Sequence, residues 1–130
     1  MPRPKEEHPT AGELEVLKVL WERGPSTVRE VMDVLNADRT RAYTSVMSLL
    51  NVMTDKGLLV REPRGRAFVY KPKSNRGKTL GRMVNQLLGR AFEGSTSQLV
   101  AHLLDQSQPS AAELEEIRRT IEKYQQQKGH

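Results

Sequence analysis

A mainly α-helical fold carrying one small β-hairpin is predicted by three features of this 130-residue sequence. Apolar residues recur at helical spacing in three short segments between residues 10 and 56. The period then changes over residues 58–71, where branched and aromatic residues flank a Pro-Arg-Gly turn signal. Helical spacing returns near residue 76 and is broken at Gly94 and Pro109. Helix and strand periods differ enough (3.6 against 2) for such a switch to be read directly.

Residues 1–9, with three prolines and four charges, read as a disordered leader. Thr10 and Glu13 then have the spacing of a capping box, in which hydroxyl and carboxylate each satisfy a free amide at a helix start. Helix 1 follows to about Arg23, with Leu14, Leu17, Leu20 and Trp21 on one side, and Gly24-Pro25 stops it. Thr27 and Glu30 repeat the capping pattern for helix 2, whose stripe is Val28, Val31, Met32 and Leu35. Asn36 to Arg39 is the turn. Helix 3 is expected from about Arg41 to Lys56, with Val46, Leu49, Leu50 and Met53 inward and Gly57 as its C-terminal cap.

Residues 58–62 and 66–71 are β-prone, and Pro63-Arg64-Gly65 between them is turn chemistry, so Arg64 and Arg66 belong at or beside a hairpin tip. Pro72 ends the hairpin. Helix 4 starts after Ser74-Asn75 and carries Leu80, Met83, Val84, Leu87, Leu88 and Ala91. A short helix 5 carries Leu99, Val100, Leu103 and Leu104. Ser110 and Glu113 give a third capping pattern, ahead of helix 6 with Leu114, Ile117, Ile121 and Tyr124. The glutamine-rich tail is expected to fray.

Three short helices followed by a hairpin describe a winged helix-turn-helix, here residues 10–73, joined to a C-terminal helical dimerisation region, residues 74–130. In that arrangement helix 3 enters the DNA major groove. With its inward face assigned, the outward set is Tyr43, Thr44, Ser45, Met47, Ser48 and Asn51, all uncharged and mostly small or hydrogen-bonding. Such side chains can approach base edges, and a thioether can touch a thymine methyl. An ordinary surface helix would carry Glu and Lys there. Arg39 and Arg41 precede the helix, and Arg64 and Arg66 on the wing are placed for phosphate or the adjacent minor groove.

Charge supports a polyanionic partner. The chain nets +5, but the window from Lys56 to Arg82 holds nine basic residues against the single acid Glu62. A local field of one sign suits double-stranded DNA.

Other chemistries lack their residues. With no cysteine, disulfides, thiolate metal sites and cysteine nucleophiles are excluded, and the three histidines are scattered, so no metal and no cofactor are expected. No G-x-S-x-G, phosphate-binding glycine loop or H-E-x-x-H occurs, and Glu113, Glu115 and Glu116 are explained by helix capping and solvent. An enzyme is therefore not expected. No apolar stretch reaches 18 residues and the N-terminus has no signal core, so a cytoplasmic protein without membrane association is expected.

The C-terminal third needs apolar cover. The apolar fraction of the chain, 36%, leaves a thin core, and eight apolar side chains lie on helices 5 and 6, which are too short and interrupted to form their own bundle. At roughly 1.5–3 kcal/mol per buried large side chain, leaving them exposed would cost on the order of 10 kcal/mol or more. A second copy of the chain can cover them; folding back on the winged domain is the alternative. A two-fold dimer would set its recognition helices about one DNA turn, roughly 34 Å, or two turns apart.

Several segments carry a specific likeness. Leu14–Trp21, Thr27–Val31, Ala42–Leu50, Lys56–Leu59 and Arg66–Tyr70 together resemble the penicillinase and methicillin-resistance repressor family (BlaI/MecI-like), strongly from Thr10 to Pro72 and in pattern only beyond it. The resemblance implies a homodimeric repressor on a palindromic operator, reading DNA with its winged domain and dimerising through its C-terminal helices. The family's threonine-rich opening of the recognition helix corresponds to Thr44 and Ser45, and its following threonine to Ser48. Val52 departs from the pattern, standing where an arginine is usual. Family repressors of antibiotic resistance are released by a sensor-activated protease that cuts an Asn-Phe bond in the C-terminal helices. The matching stretch here reads Val100-Ala-His-Leu-Leu104, without that bond. A sensor protein or protease as partner is thus left open. The cysteine cluster of copper-responsive relatives is absent as well. Two other readings stay open: a ligand-responsive regulator binding a small molecule between the winged domain and helix 4, and a winged-helix interaction module without DNA binding.

Overall fold

In the computed structural model, which describes residues 8–128, six helices and one antiparallel hairpin follow one another in the expected order. They are α1 (Ala11–Arg23), α2 (Val28–Leu35), α3 (Tyr43–Asp55), β1 (Leu59–Arg64), β2 (Ala67–Pro72), α4 (Arg76–Ala91), α5 (Thr96–Ser107) and α6 (Ala111–Gln127). The fold is that of a winged helix-turn-helix followed by helices. Most of the expected leader, residues 1–7, lies outside the described residues. The described residues form two compact units, divided between Val84 and Asn85.

In the first unit, both capping boxes are present. The Thr10 hydroxyl accepts from the Glu13 amide while the Glu13 carboxylate accepts from the Thr10 amide, and Thr27 and Glu30 do the same. Gly24, at φ +95, ends α1 in a conformation that suits a residue without a side chain. The core is made of Val16, Leu17 and Leu20 from α1, Val28, Val31 and Leu35 from α2, Val46, Leu50 and Met53 from α3, with Leu59 and Tyr70 from the hairpin. Leu14, Met32 and Leu49, expected on these inward faces, are only half-buried, whereas Val16, outside the expected stripe, is fully buried.

Helix 3 begins at Tyr43, two residues later than expected, because the turn before it is pinned. The Asn36 side chain accepts from the Arg41 amide (2.9 Å) and donates to the Arg41 carbonyl (3.3 Å), holding residues 36–41 in a closed loop. The hairpin turn also lies further along than expected. Pro63 and Arg64 belong to β1, and the two-residue turn is Gly65–Arg66, with Gly65 at φ +61. Glycine at the first central position is what a tight type II′ hairpin turn selects. Pro63 is tolerated because β1 is an edge strand of a two-stranded sheet. Arg61 pairs with Tyr70, Pro63 with Phe68 and Arg64 with Ala67. Ser26, in the α1–α2 loop, exchanges both backbone hydrogen bonds with Tyr70 (3.0 and 2.8 Å) and so fastens the hairpin to the helices.

Trp21 donates its indole N–H to the Ser74 carbonyl at 3.1 Å, tying the entry of α4 to α1. Asn75 caps α4, its side chain accepting from the Lys78 amide. In the second unit, Ser95 caps α5 and Ser110 caps α6. At α6 only half of the expected capping box forms: Ser110 accepts from the Glu113 amide, with no return bond from the Glu113 carboxylate. The glutamine run Gln125–Gln127 continues α6 rather than fraying, consistent with the good helix propensity of glutamine and the absence of glycine or proline before residue 129. No described side chain of α5 or α6 is buried. Among the described residues, no helix is long and apolar enough to cross a membrane.

Candidate nucleic-acid interface

The outward side of α3 is divided into two rows by its 3.6-residue period. Tyr43, Met47 and Asn51 repeat every fourth residue along the side that turns toward the hairpin, where they border a groove of about 400 Å³. Thr44, Ser48 and Val52 form a second row, all exposed, with Ser45 exposed beside them. Neither row carries a charge. Tyr43 (42% exposed) and Met47 (36%) are surface residues, not part of the core.

Asn51 is half-buried and already engaged. Its side-chain carbonyl accepts from the Tyr70 hydroxyl at 3.0 Å and from the Arg61 guanidinium at 3.1 Å. These two bonds fix the hairpin against the middle of α3. Arg61 and Phe68 were not expected at the interface. Strand alternation puts them on the hairpin face that meets α3, where the Arg61 guanidinium carbon lies 4.5 Å from the centroid of the Phe68 ring. Arg29, also unexpected, lies in the same relation to Tyr43 at 5.6 Å.

The expected arginines separate into different environments. Arg66 occupies the turn and lines the groove. Arg64, one residue before the turn, alternates to the hairpin face opposite Arg61, the face that also carries Glu62 and Lys71 as an ion pair (2.9 Å). Arg39 is exposed in the turn before α3. Arg41 is not free for a partner. Its guanidinium donates to the Leu35 carbonyl (2.6 Å) and the Arg39 carbonyl (2.9 Å) and reaches Glu15 (3.4 Å), with only 13% of its side chain exposed. It closes the C-terminal end of α2 and sets the approach to α3, a positioning task.

The basic window is thinner in space than in sequence, because Lys56 is buried against Glu13 and Lys71 is paired with Glu62. Arg61, Arg64 and Arg66 remain on the hairpin, without an acidic partner among the described residues. No group of three or more metal-ligating side chains occurs among the described residues.

The apolar residues expected at a dimer contact lie largely at the surface of the single chain. On α4, Leu80, Met83 and Leu88 are half-buried, while Val84 and Leu87 are exposed. On α5, Leu99 and Leu104 are half-buried, with Val100 and Leu103 exposed. On α6, Ile117 is half-buried, and Leu114, Ile121 and Tyr124 are exposed, Tyr124 by 60%.

Comparison with known proteins adds identity to this geometry. Residues 9–123 match the family model described as Penicillinase repressor. The penicillinase repressor of Bacillus licheniformis is 28% identical over 116 residues, which span 89% of this chain and 91% of that protein. The transcriptional regulator BlaI of Mycobacterium tuberculosis is 34% identical over 114 residues, 85% of this chain and 81% of that one. The methicillin resistance regulatory protein MecI of Mammaliicoccus sciuri is 18% identical over 114 residues, 88% and 93% of the two chains.

Proposed function

The chain belongs to the penicillinase repressor family, and from that premise we propose that it is a DNA-binding transcriptional repressor acting in the cytoplasm as a homodimer on a palindromic operator. The observation that carries this reading is the exposed, uncharged row Thr44, Ser48 and Val52, with Ser45 beside it, on a helix flanked by a hairpin bearing three arginines. Hydroxyls there can donate to or accept from base edges, and the Val52 side chain can meet a thymine methyl. Tyr43 and Met47 border the same surface and add apolar contact. Arg39, Arg64 and Arg66 supply contacts to phosphate, which fix register without reading sequence.

Residues 10–73 are the DNA-reading module in this proposal and 74–130 the dimerising one. The apolar residues left uncovered on α4, α5 and α6 support a second copy as the partner. Two-fold pairing would duplicate the recognition helix and make the operator a palindrome with half-sites one or two DNA turns apart.

The test is to separate the two classes of contact. A duplex is first enriched by the full-length chain from a random-sequence pool. Arg64→Ala with Arg66→Ala is expected to weaken enriched and unrelated duplexes alike and to flatten the salt dependence. Thr44→Ala or Ser48→Ala is expected to change which sequences are preferred, at about 1–3 kcal/mol per lost base contact. Uniform losses from both classes would refute the division of roles, and failure to enrich any duplex would favour a protein-interaction module.

A further inference from the structure

Sulfur chemistry in this chain rests on methionine alone, because it has no cysteine. Among the described residues Met53 is fully buried, Met32 and Met83 are half-buried, and Met47 is exposed. Met47 sits at the middle of α3, between Tyr43 and Asn51 in the row that borders the groove. That groove, of about 400 Å³, has room for a small oxidant beside the thioether. Arg29, Arg61 and Arg66 line it as well, and no carboxylate does.

The chemistry balances with a hydroperoxide as the co-reactant. The thioether sulfur attacks the terminal peroxide oxygen, so that an S–O bond forms and the O–O bond breaks. The sulfur loses two electrons and becomes a sulfoxide, and the hydroperoxide is reduced to an alcohol, or to water when it is hydrogen peroxide. The departing oxygen leaves with the electron pair and takes up the hydroperoxide proton. Guanidinium N–H groups in the same groove can donate to that oxygen while its charge develops.

We propose that Met47 is an oxidation-sensitive site whose sulfoxide form holds the chain off DNA. The inference rests on the repressor reading above and adds a means of regulation to the same surface. Oxidation exchanges a flexible apolar side chain for a polar one. At an apolar contact, a sulfoxide oxygen that finds no donor is penalised. Bound duplex would cover the thioether, so the free protein is the form that oxidises, and oxidant then prevents rebinding rather than attacking the complex.

The test treats the full-length chain with hydrogen peroxide and follows each methionine by peptide mass. Met47 should gain one oxygen before Met32, Met53 and Met83 do. Affinity for the enriched duplex should fall about tenfold in step with that oxygen, the loss expected of one unpaired polar group at an apolar contact. The two stereospecific methionine sulfoxide reductases, supplied with a thiol, should restore both mass and affinity. Saturating duplex, added before the peroxide, should slow oxidation of Met47 and leave that of Met83 unchanged. Met47→Leu keeps the other methionines and should hold whatever affinity it starts from through the same exposure.

Oxidation of Met47 that leaves affinity unchanged would overturn the proposal while sparing the repressor reading. An equal loss in Met47→Leu would overturn it too, by tracing the effect to another methionine, as would oxidation of Met47 that bound duplex does not slow. Should Met47→Leu bind too weakly to follow, recovery by the reductases decides: affinity must return as Met47 alone loses its oxygen. If no duplex can be enriched at all, the repressor reading itself falls and takes this inference with it.

Discussion

The Lys56 ammonium, at the end of α3, lies 2.8 and 3.0 Å from the two carboxylate oxygens of Glu13, in the first turn of α1. Both side chains are almost fully buried, at 9% and 4% exposure, and Glu13 also accepts from the Thr10 amide. One carboxylate therefore caps α1 and anchors the far end of α3.

Removing the cation alone should be severe. Lys56→Met would leave Glu13 charged and unpaired in the interior, a situation that costs about 3–5 kcal/mol. The double variant Glu13→Leu with Lys56→Met keeps the volume and removes both charges, so it should be clearly more stable than Lys56→Met. Urea unfolding followed by circular dichroism gives the comparison. A double variant less stable than the single would mean that the Glu13 carboxylate stabilises the fold without Lys56, through its bond from the Thr10 amide.

The bond from Tyr70 to Asn51 joins the hairpin to α3, and its two ends should respond unequally. Tyr70→Phe keeps the buried ring and removes one donor, while Asn51 retains Arg61; a loss of about 1 kcal/mol is expected. Asn51→Ala strands the hydroxyl of a residue that is only 2% exposed and frees Arg61 as well, so it should cost more. Chemical denaturation ranks the two. Equal losses would mean that water reaches the Tyr70 hydroxyl once Asn51 is gone.

Much of this architecture was legible because it is local. Thr10 with Glu13 and Thr27 with Glu30 are recognisable at three-residue spacing, and both boxes form. What was hidden depends on pairing across the chain. A turn at Pro63–Gly65 would set Glu62 opposite Arg66, whereas the actual turn sets Arg61 opposite Tyr70 and close to Phe68. Only that register brings Arg61 to the hairpin face that meets α3. The engagement of Arg41 was hidden for a similar reason: its anchoring carbonyls and Glu15 come together only once α1 and α2 are packed. Glu13 read as a cap and nothing more, since a partner 43 positions away leaves no periodic signal. The preference for Gly65 at the turn was the one available hint, as glycine marks the first central position of a type II′ turn.

Acid should weaken the start of α2 through Glu30. Its carboxyl is held below the ordinary glutamate range chiefly by the Thr27 backbone amide; desolvation opposes this, and Arg23 adds a hydrogen bond and attraction, each smaller than the desolvation it works against. A lowered folded-state value means that the native protein binds fewer protons than the unfolded chain in that range. The stabilisation is therefore complete above about pH 5 and is lost as pH falls through the ordinary range toward the lowered value. Glu30→Gln cannot titrate. The stability difference between parent and variant should shrink from about pH 5 to about pH 3, and a difference that stays constant over that interval would show that Glu30 is not the responsive group.

Leu103 (54% exposed) and Ile121 (50%) offer the sharpest test of the dimer, because they lie on separate helices and neither supports a core within the chain. If a second copy covers them, Leu103→Glu with Ile121→Glu puts carboxylates into an apolar contact, where each buried charge without a partner is strongly unfavourable. The parent should sediment as a dimer at micromolar concentration and the double variant as a monomer. Helix content should barely change, since both positions are exposed in the single chain and glutamate is a good helix former. DNA binding then supplies an independent reading. A monomer meets one half-site, so the slope of log affinity against log salt should fall to roughly half of the parent's. Unchanged sedimentation together with an unchanged slope would place the contact between copies elsewhere on the chain, or remove it.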